Sequence, residues 1–363
     1  LHEIDKKINE IEKEADFFSL LKPVNQEEER EKFFAAFRDG RVYNPVFRYK
    51  DRKLSDKKGW LEKIRSELDE NDGIQLLFVK KLDFVLTQFE LVEADDDSFG
   101  DIAVKLYGEP SAECIEIARN TLSETGECGY TFPDETVTPG EMASILRAEL
   151  GRKGIGWSVV VSEKIVPKIT VSGKEKKIYI NSGIDYTPDE VQRLKVHEIE
   201  VHIYRGANGD IQPYGIFRAG LAGYDETEEG LAIMAEKISG CLEKDTRQMK
   251  LYAGRALSAE LCMKGSFYEA FASLRETFPD YLAYRLTERE KRGLRDTSKK
   301  GGLTKGFHYV SGLMKMQKYI EEGGDMSIIY IGKIGLTDVE ISGKLLREGV
   351  LAPPKYLPDF VKR

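Results

Sequence analysis

Apolar residues recur at helical intervals through the first third of the chain. Ile4, Ile8, Ile11, Ala15 and Phe18 fall on one face, and Pro23 closes that segment. Asn25 with Glu28 three residues on forms an N-cap signal, and Phe33, Phe34 and Phe37 follow as a buried face. Trp60, Leu61, Ile64 and Leu68 mark another helix, stopped near Asn71-Asp72-Gly73. The apolar run from Ile74 to Val92 is long enough for a buried one. Acidic and small residues in Asp95-Asp96-Asp97-Ser98-Phe99-Gly100 then interrupt the pattern and predict a linker.

Beyond the linker the pattern alternates. Thr138-Pro139-Gly140-Glu141 announces a helix, with an N-cap threonine, proline in the first turn and glutamate at the third position. Trp157 to Val161, Lys168 to Val171 and Lys176 to Ile180 are short, rich in β-branched residues and separated by turn formers, so they predict strands. Lys176 to Ile180 is the candidate edge, where an extended peptide could pair. Thr187-Pro188-Asp189-Glu190 repeats the helix-start signal, and Val191 and Leu194 lead on to His197. The expected fold is α+β and mostly helical, with an N-terminal helical region over 1–110 and a second region over 111–363. The two can also form one continuous domain.

A length of 363 residues with 41% hydrophobic and 33% charged side chains fits a soluble globular chain of one large domain or two ordinary ones. No apolar run approaches the roughly 20 residues of a membrane span, and the N-terminus has no signal-peptide core. The chain opens at Leu1 and not Met, which implies a trimmed start. Cys114, Cys128, Cys241 and Cys262 are scattered without a C-x-x-C pair, so buried reduced thiols and a cytoplasmic setting are expected. The net charge of -8 argues against broad nucleic-acid binding. One stretch reverses the sign: from Arg285 to Lys305, eight basic residues face three acidic ones. An acidic peptide would suit it, and so would a solvated helix end.

The chemistry concentrates in His197-Glu198-Ile199-Glu200-Val201-His202, which holds two of the chain's four histidines. Neutral imidazoles are good zinc donors, and a catalytic zinc site needs three protein ligands and one open position. Glu198, next to the first donor, is placed to take a proton from water. The short-spacer form of this motif puts its histidines four residues apart on one helix face. Here the interval is five, and at about 3.6 residues per turn that rotates the second side chain by about 140° from the first. A π-bulge between His197 and His202 would correct the angle by absorbing one residue.

For a third donor, Asp225-Glu226-Thr227-Glu228-Glu229-Gly230-Leu231-Ala232 offers several carboxylates entering an apolar helix, with Glu229 the candidate. Acidic residues in a first turn are also ordinary, since they complement the helix dipole. His308 is expected at the surface or beside a site, not as a donor, and His2, at the terminus, is expected to have no role.

His197-Glu198-x-x-x-His202 followed by Thr227-Glu228-Glu229-Gly230-Leu231-Ala232 resembles the microtubule-associated tyrosine carboxypeptidase family, whose prokaryotic relatives are described by a QEGLA motif. Further matches are Pro23-Val24-Asn25 with Glu28 and Phe33-Phe34, Asn44-Pro45-x-Phe47-x-Tyr49, Arg205-Gly206, and Lys291-Arg292-Gly293 with Asp296-Thr297-Ser298. The resemblance implies a zincin-like metallopeptidase domain over 111–363, zinc held by His197, His202 and Glu229, and Glu198 as catalytic base. Where bacterial members carry glutamine this chain has Glu228, as eukaryotic members do.

The implied activity is a zinc metallocarboxypeptidase that releases a C-terminal tyrosine or phenylalanine from a peptide or protein tail, which an acidic tail would suit. Tubulin follows as partner only for the eukaryotic branch. Such an enzyme must grip a free carboxylate, for which a planar guanidinium is suited. Arg205 is the first candidate, with Arg218 and Arg292 behind it, and Tyr214 or Tyr224 could donate to the developing oxyanion. Two other readings stay open: a zinc-binding regulatory protein without catalysis, and a zinc endopeptidase.

Overall fold

The computed structural model describes residues 1–50, 54–124, 135–165, 168–173, 175–242 and 246–361. Helices dominate these residues and three short strands make a small sheet, as the α+β expectation requires. No helix among them is long and apolar enough to cross a membrane. The chain divides into two compact units: Leu1–Asn9, Glu127–Met249 and Gly312–Arg363 form one, Glu10–Gly126 and Lys250–Ser311 the other. Cys114, Cys241 and Cys262 are buried free thiols, while Cys128 lies outside the described residues.

The unit containing Glu10–Gly126 is built from helices at the periodic apolar positions, including Ser55–Glu67 and Gly73–Glu93. Phe33, fully buried, packs edge-on against Phe267 and Phe271 and beside Tyr284 in an aromatic core. Asn25 stands at the N-cap of Gln26–Arg38 but does not cap it. Its side chain instead donates to the Val46 carbonyl (2.9 Å) and accepts from the Arg48 amide (2.8 Å), fastening an extended segment.

Three expectations change in this unit. Asp95–Gly100 is not a linker: Asp95 accepts from the Ser98 amide and hydroxyl to start the helix Phe99–Tyr107, and Asp96 accepts from the amides of Arg295 and Asp296. Acidic side chains here satisfy backbone N–H groups, which a flexible segment would leave to water. The basic run is solvated only in part, with Arg295 and Lys300 exposed. Glu288, Glu290 and Lys291 are buried, Arg285 pairs with Glu288 at 2.7 Å, and Lys291 Nζ donates to the carbonyls of Cys262, Gly265 and Lys299. His308 is not at the surface; it is buried, with Nε2 3.0 Å from the Tyr107 carbonyl.

In the other unit, strands β1 (Ser158–Ser162), β2 (Ile169–Ser172) and β3 (Lys177–Asn181) each begin one residue later than the pattern suggests. Their order is β1-β3-β2, with β1 parallel and β2 antiparallel to β3. The strand expected at the edge is therefore the central one. Ile178 and Ile180 are fully buried, and a strand that buries both its apolar residues this deeply is better placed between two neighbours than at a rim. The free edges belong to β1 and β2.

Both helix-start signals form complete capping boxes, Thr138 with Glu141 and Thr187 with Glu190, each with proline in the first turn. Val159, Ile169, Ile178 and Ile180 of the sheet share one core with Val196, Ile199, Val201 and Ile203 from the histidine segment and with Leu231, Ala232 and Ala235. Each buried valine, leucine or isoleucine here contributes about 1.5–3 kcal/mol. The sheet thus sets the depth and rotation of the segment that bears the histidines.

Candidate active site

The helix begun at Thr187 continues as Pro188–Leu194 and then widens: Lys195–Ile203 is a π-helix. The five-residue interval requires this, because hydrogen bonds from i to i+5 return residues five apart to the same side. The distortion exceeds the single bulge expected and runs for nine residues. It brings the His197 and His202 rings to 4.9 Å between centroids, tilted by 70°.

Glu229 joins them from the helix Tyr224–Ile238. Donor atoms of His197, His202 and Glu229 all lie within 4.8 Å of one another, and among the described residues they form the one such cluster. The glycine of the Glu229-Gly230-Leu231-Ala232 run has a local cause. A side chain on Gly230 would fall 2.6 Å from Gly312 Cα and closer still to its carbonyl, so glycine lets the helix His308–Glu321 pass in contact directly behind the glutamate.

Each histidine is backed by a carboxylate. His197 Nδ1 is 2.8 Å from Glu236 Oε1, and His202 Nδ1 is 3.3 Å from Glu228 Oε1, the longer and less aligned of the two contacts. An ionised carboxylate only accepts, so His197 Nδ1 carries a proton toward Glu236, and the looser Glu228 contact favours the same on His202. Cations stand behind the carboxylates in turn: Arg193 NH1 is 3.0 Å from Glu236 Oε1, and Lys333 Nζ is 3.1 and 3.2 Å from the two oxygens of Glu228.

The charge balance calls for a cation. Burial pulls His197 toward neutrality, but the Glu236 hydrogen bond and the charges of Glu198, Glu236 and Glu229 outweigh it and lift its pKa to about 9. Without a metal the cluster draws in a proton. Burial alone would raise Glu228, yet Lys333, His202 and Arg205 hold its carboxyl well below the ordinary range. Two imidazoles and one carboxylate form a donor set suited to catalytic zinc, and the carboxylates beside both Nδ1 atoms match the support such ligands need. Glu198, half-buried, has no hydrogen bond or ion pair among the described residues.

The other candidates are placed differently. Arg205 is fully buried; its Nε donates to the Ile329 and Gly332 carbonyls (both 3.2 Å), its NH2 donates to that of Ile334 (2.5 Å), and NH1 stands 3.7 Å from Glu228. A guanidinium spent on its own chain leaves no fork open to a ligand in this conformation. Arg218 keeps 33% of its side chain exposed, 3.6 Å from Asp210. Arg292 belongs to the other unit, partly buried among Glu288 and Glu290. Tyr224 opens the Glu229 helix with its ring 5.4 Å from Lys333 Nζ, while Tyr214 packs 4.8 Å from the exposed His2.

Sequence reasoning missed Glu236, Arg193 and Lys333, and used Glu228 only as a family match. Glu236 had a signal: it follows Glu229 by seven residues, about two helical turns, as a lone acid in an apolar stretch. Lys333 had none, being 105 residues from its partner.

The family described as microtubule-associated tyrosine carboxypeptidase matches residues 31–363. Proteins named microtubule-associated tyrosine carboxypeptidase 1 are similar over 94% of this chain: that of Rattus norvegicus is 25% identical over 353 residues, that of Mus musculus 25% over 350, and that of Homo sapiens 24% over 356. The chain spans 64% of the length of each of these relatives.

Proposed function

The chain belongs to the microtubule-associated tyrosine carboxypeptidase family, and from that premise we propose that it is a zincin-like, zinc-dependent carboxypeptidase releasing tyrosine or phenylalanine from peptide C-termini. The observation that carries the reading is the convergence of His197, His202 and Glu229 within 4.8 Å beside an uncommitted Glu198. The relatives' names support tyrosine as the residue released and a protein tail as substrate.

His197, His202 and Glu229 would hold the zinc. Bound there, zinc would acidify an attacking water and polarise the scissile carbonyl. Glu198 accepts the water's proton and delivers it to the leaving amine nitrogen. Glu228 and Glu236 keep the imidazoles oriented throughout. Of the three arginines considered, Arg218 lies in this unit with a third of its side chain exposed and is the candidate to meet the substrate's free carboxylate.

The test is incubation of the purified chain with peptides differing only in the last residue, with and without chelator, read by mass spectrometry alongside metal analysis. Release of terminal tyrosine or phenylalanine that stops on chelation and returns with zinc is expected. Zinc-free protein after zinc loading, or release indifferent to chelator, would overturn the reading.

A further inference from the structure

We propose that Lys333 and Arg193 are positioning residues, each holding a buried carboxylate against the Nδ1 of one candidate ligand histidine. The inference rests on reading His197, His202 and Glu229 as a cation site, and adds to it the groups that aim the rings.

Two arms converge on the cluster with the same order of chemistry. Arg193 reaches Glu236, which meets His197; Lys333 reaches Glu228, which meets His202. The side chains of Arg193, Glu236, Lys333 and Glu228 are 7%, 0%, 13% and 6% exposed, so all four charges are removed from water. Buried ion pairs commonly fail to recover their desolvation cost and are weak evidence for stability alone. Here both pairs terminate on the Nδ1 of a candidate donor imidazole. That placement orients each ring and favours the proton on Nδ1, so that Nε2 is the nitrogen left to offer a cation.

The second arm is itself anchored. Lys333 donates its amide to the Phe217 carbonyl (2.7 Å), and its own carbonyl accepts from the Leu221 amide (2.9 Å). On either side, Arg205 holds the carbonyls of Ile329, Gly332 and Ile334, Asn208 holds that of Tyr330, and Gln212 holds that of Ile331. Arg205, Asn208 and Gln212 recur at helical spacing directly after His202. One face of that segment therefore fixes the backbone on which Lys333 stands, while Lys333 fixes the carboxylate behind His202. Arg205 thus acts on the site through Lys333 as well as by its own 3.7 Å approach to Glu228.

The test uses the full chain with its histidine rings labelled at nitrogen, read by NMR without metal at neutral pH, together with zinc affinity by competition against a chromophoric chelator. In the wild type, His202 is expected as one tautomer protonated at Nδ1. Lys333→Met and Glu228→Gln should each mix the tautomers and weaken zinc binding about 10- to 100-fold, while Lys333→Arg stays within about threefold of wild type. Arg193→Met should weaken zinc similarly and leave the His202 signal unchanged. If Lys333→Met does not fold, the double variant Lys333→Met with Glu228→Gln, which removes both charges together, carries the same expectation. Wild-type tautomer and affinity in these variants would overturn the proposal. A wild-type chain that binds no zinc would instead end the proposed function, and the tautomer comparison would still decide this one.

Discussion

Gly230 and Gly312 meet backbone to backbone, so closely that a methyl on Gly230 would stand 2.6 Å from Gly312 Cα. Since Glu229 precedes this contact, the helix crossing and the position of Glu229 are one structural fact. Glycine to alanine inside a helix ordinarily stabilises by about 1 kcal/mol. At Gly151, an exposed helical position with nothing within 4 Å of the added carbon, that gain is expected and thermal unfolding should rise slightly. At Gly230 overlap outweighs it: Gly230→Ala should lower stability by about 1–3 kcal/mol or more and weaken zinc binding as Glu229 shifts. Equal melting shifts at the two positions would contradict the packing argument.

Ligand and base should separate cleanly. His197→Ala, His202→Ala and Glu229→Ala are each expected to lose zinc on dialysis, measured by metal analysis against a wild-type content of about one per chain. Glu198→Gln, whose side chain lies outside the donor cluster, should keep its zinc and lose tyrosine release by about a hundred- to ten-thousand-fold. Undiminished turnover in that variant would remove Glu198 as the base.

Short-range grammar was legible in the chain and long-range partnership was not. Thr138 with Glu141 and Thr187 with Glu190 announce helices because the cap and its partner sit three residues apart, and the interval from His197 to His202 already demands a wide turn. Strand order is a different matter. Nothing local in Lys176–Ile180 says that β1 will return to its far side, so the strand that reads as a rim lies in the middle. Likewise Arg205 has the composition of a substrate clamp, and only the carbonyls of Ile329, Gly332 and Ile334, more than a hundred residues away, reveal its other employment.

Arg205 therefore yields a prediction that distinguishes its two readings. A carboxylate clamp would, when removed, raise KM for free-acid peptides and spare their amides. A buried anchor would leave several carbonyls without donors and destabilise the fold by about 3–5 kcal/mol. Arg205→Ala is expected to shift the urea midpoint strongly and to impair acids and amides alike. Selective loss on free acids with unchanged stability would restore it as a substrate contact.

Acid sensitivity should have one source in the unit that contains Glu10–Gly126. Glu29 is 2% exposed and accepts from Tyr43 Oη (2.7 Å), the Val46 amide (2.8 Å) and Lys32 Nζ (2.9 Å). Burial alone would raise its pKa, but Lys32, the Val46 amide and Tyr43 together lower it below the ordinary 4.5. A carboxyl depressed on folding binds its proton more readily in the unfolded chain, so the stability it contributes is complete above that ordinary value and is lost as pH falls through the folded one. Glu29→Gln should cost stability near neutrality and little in strong acid, flattening the lower limb of the urea-midpoint profile against pH. A variant profile parallel to wild type across that window would show that Glu29 is not the group being protonated.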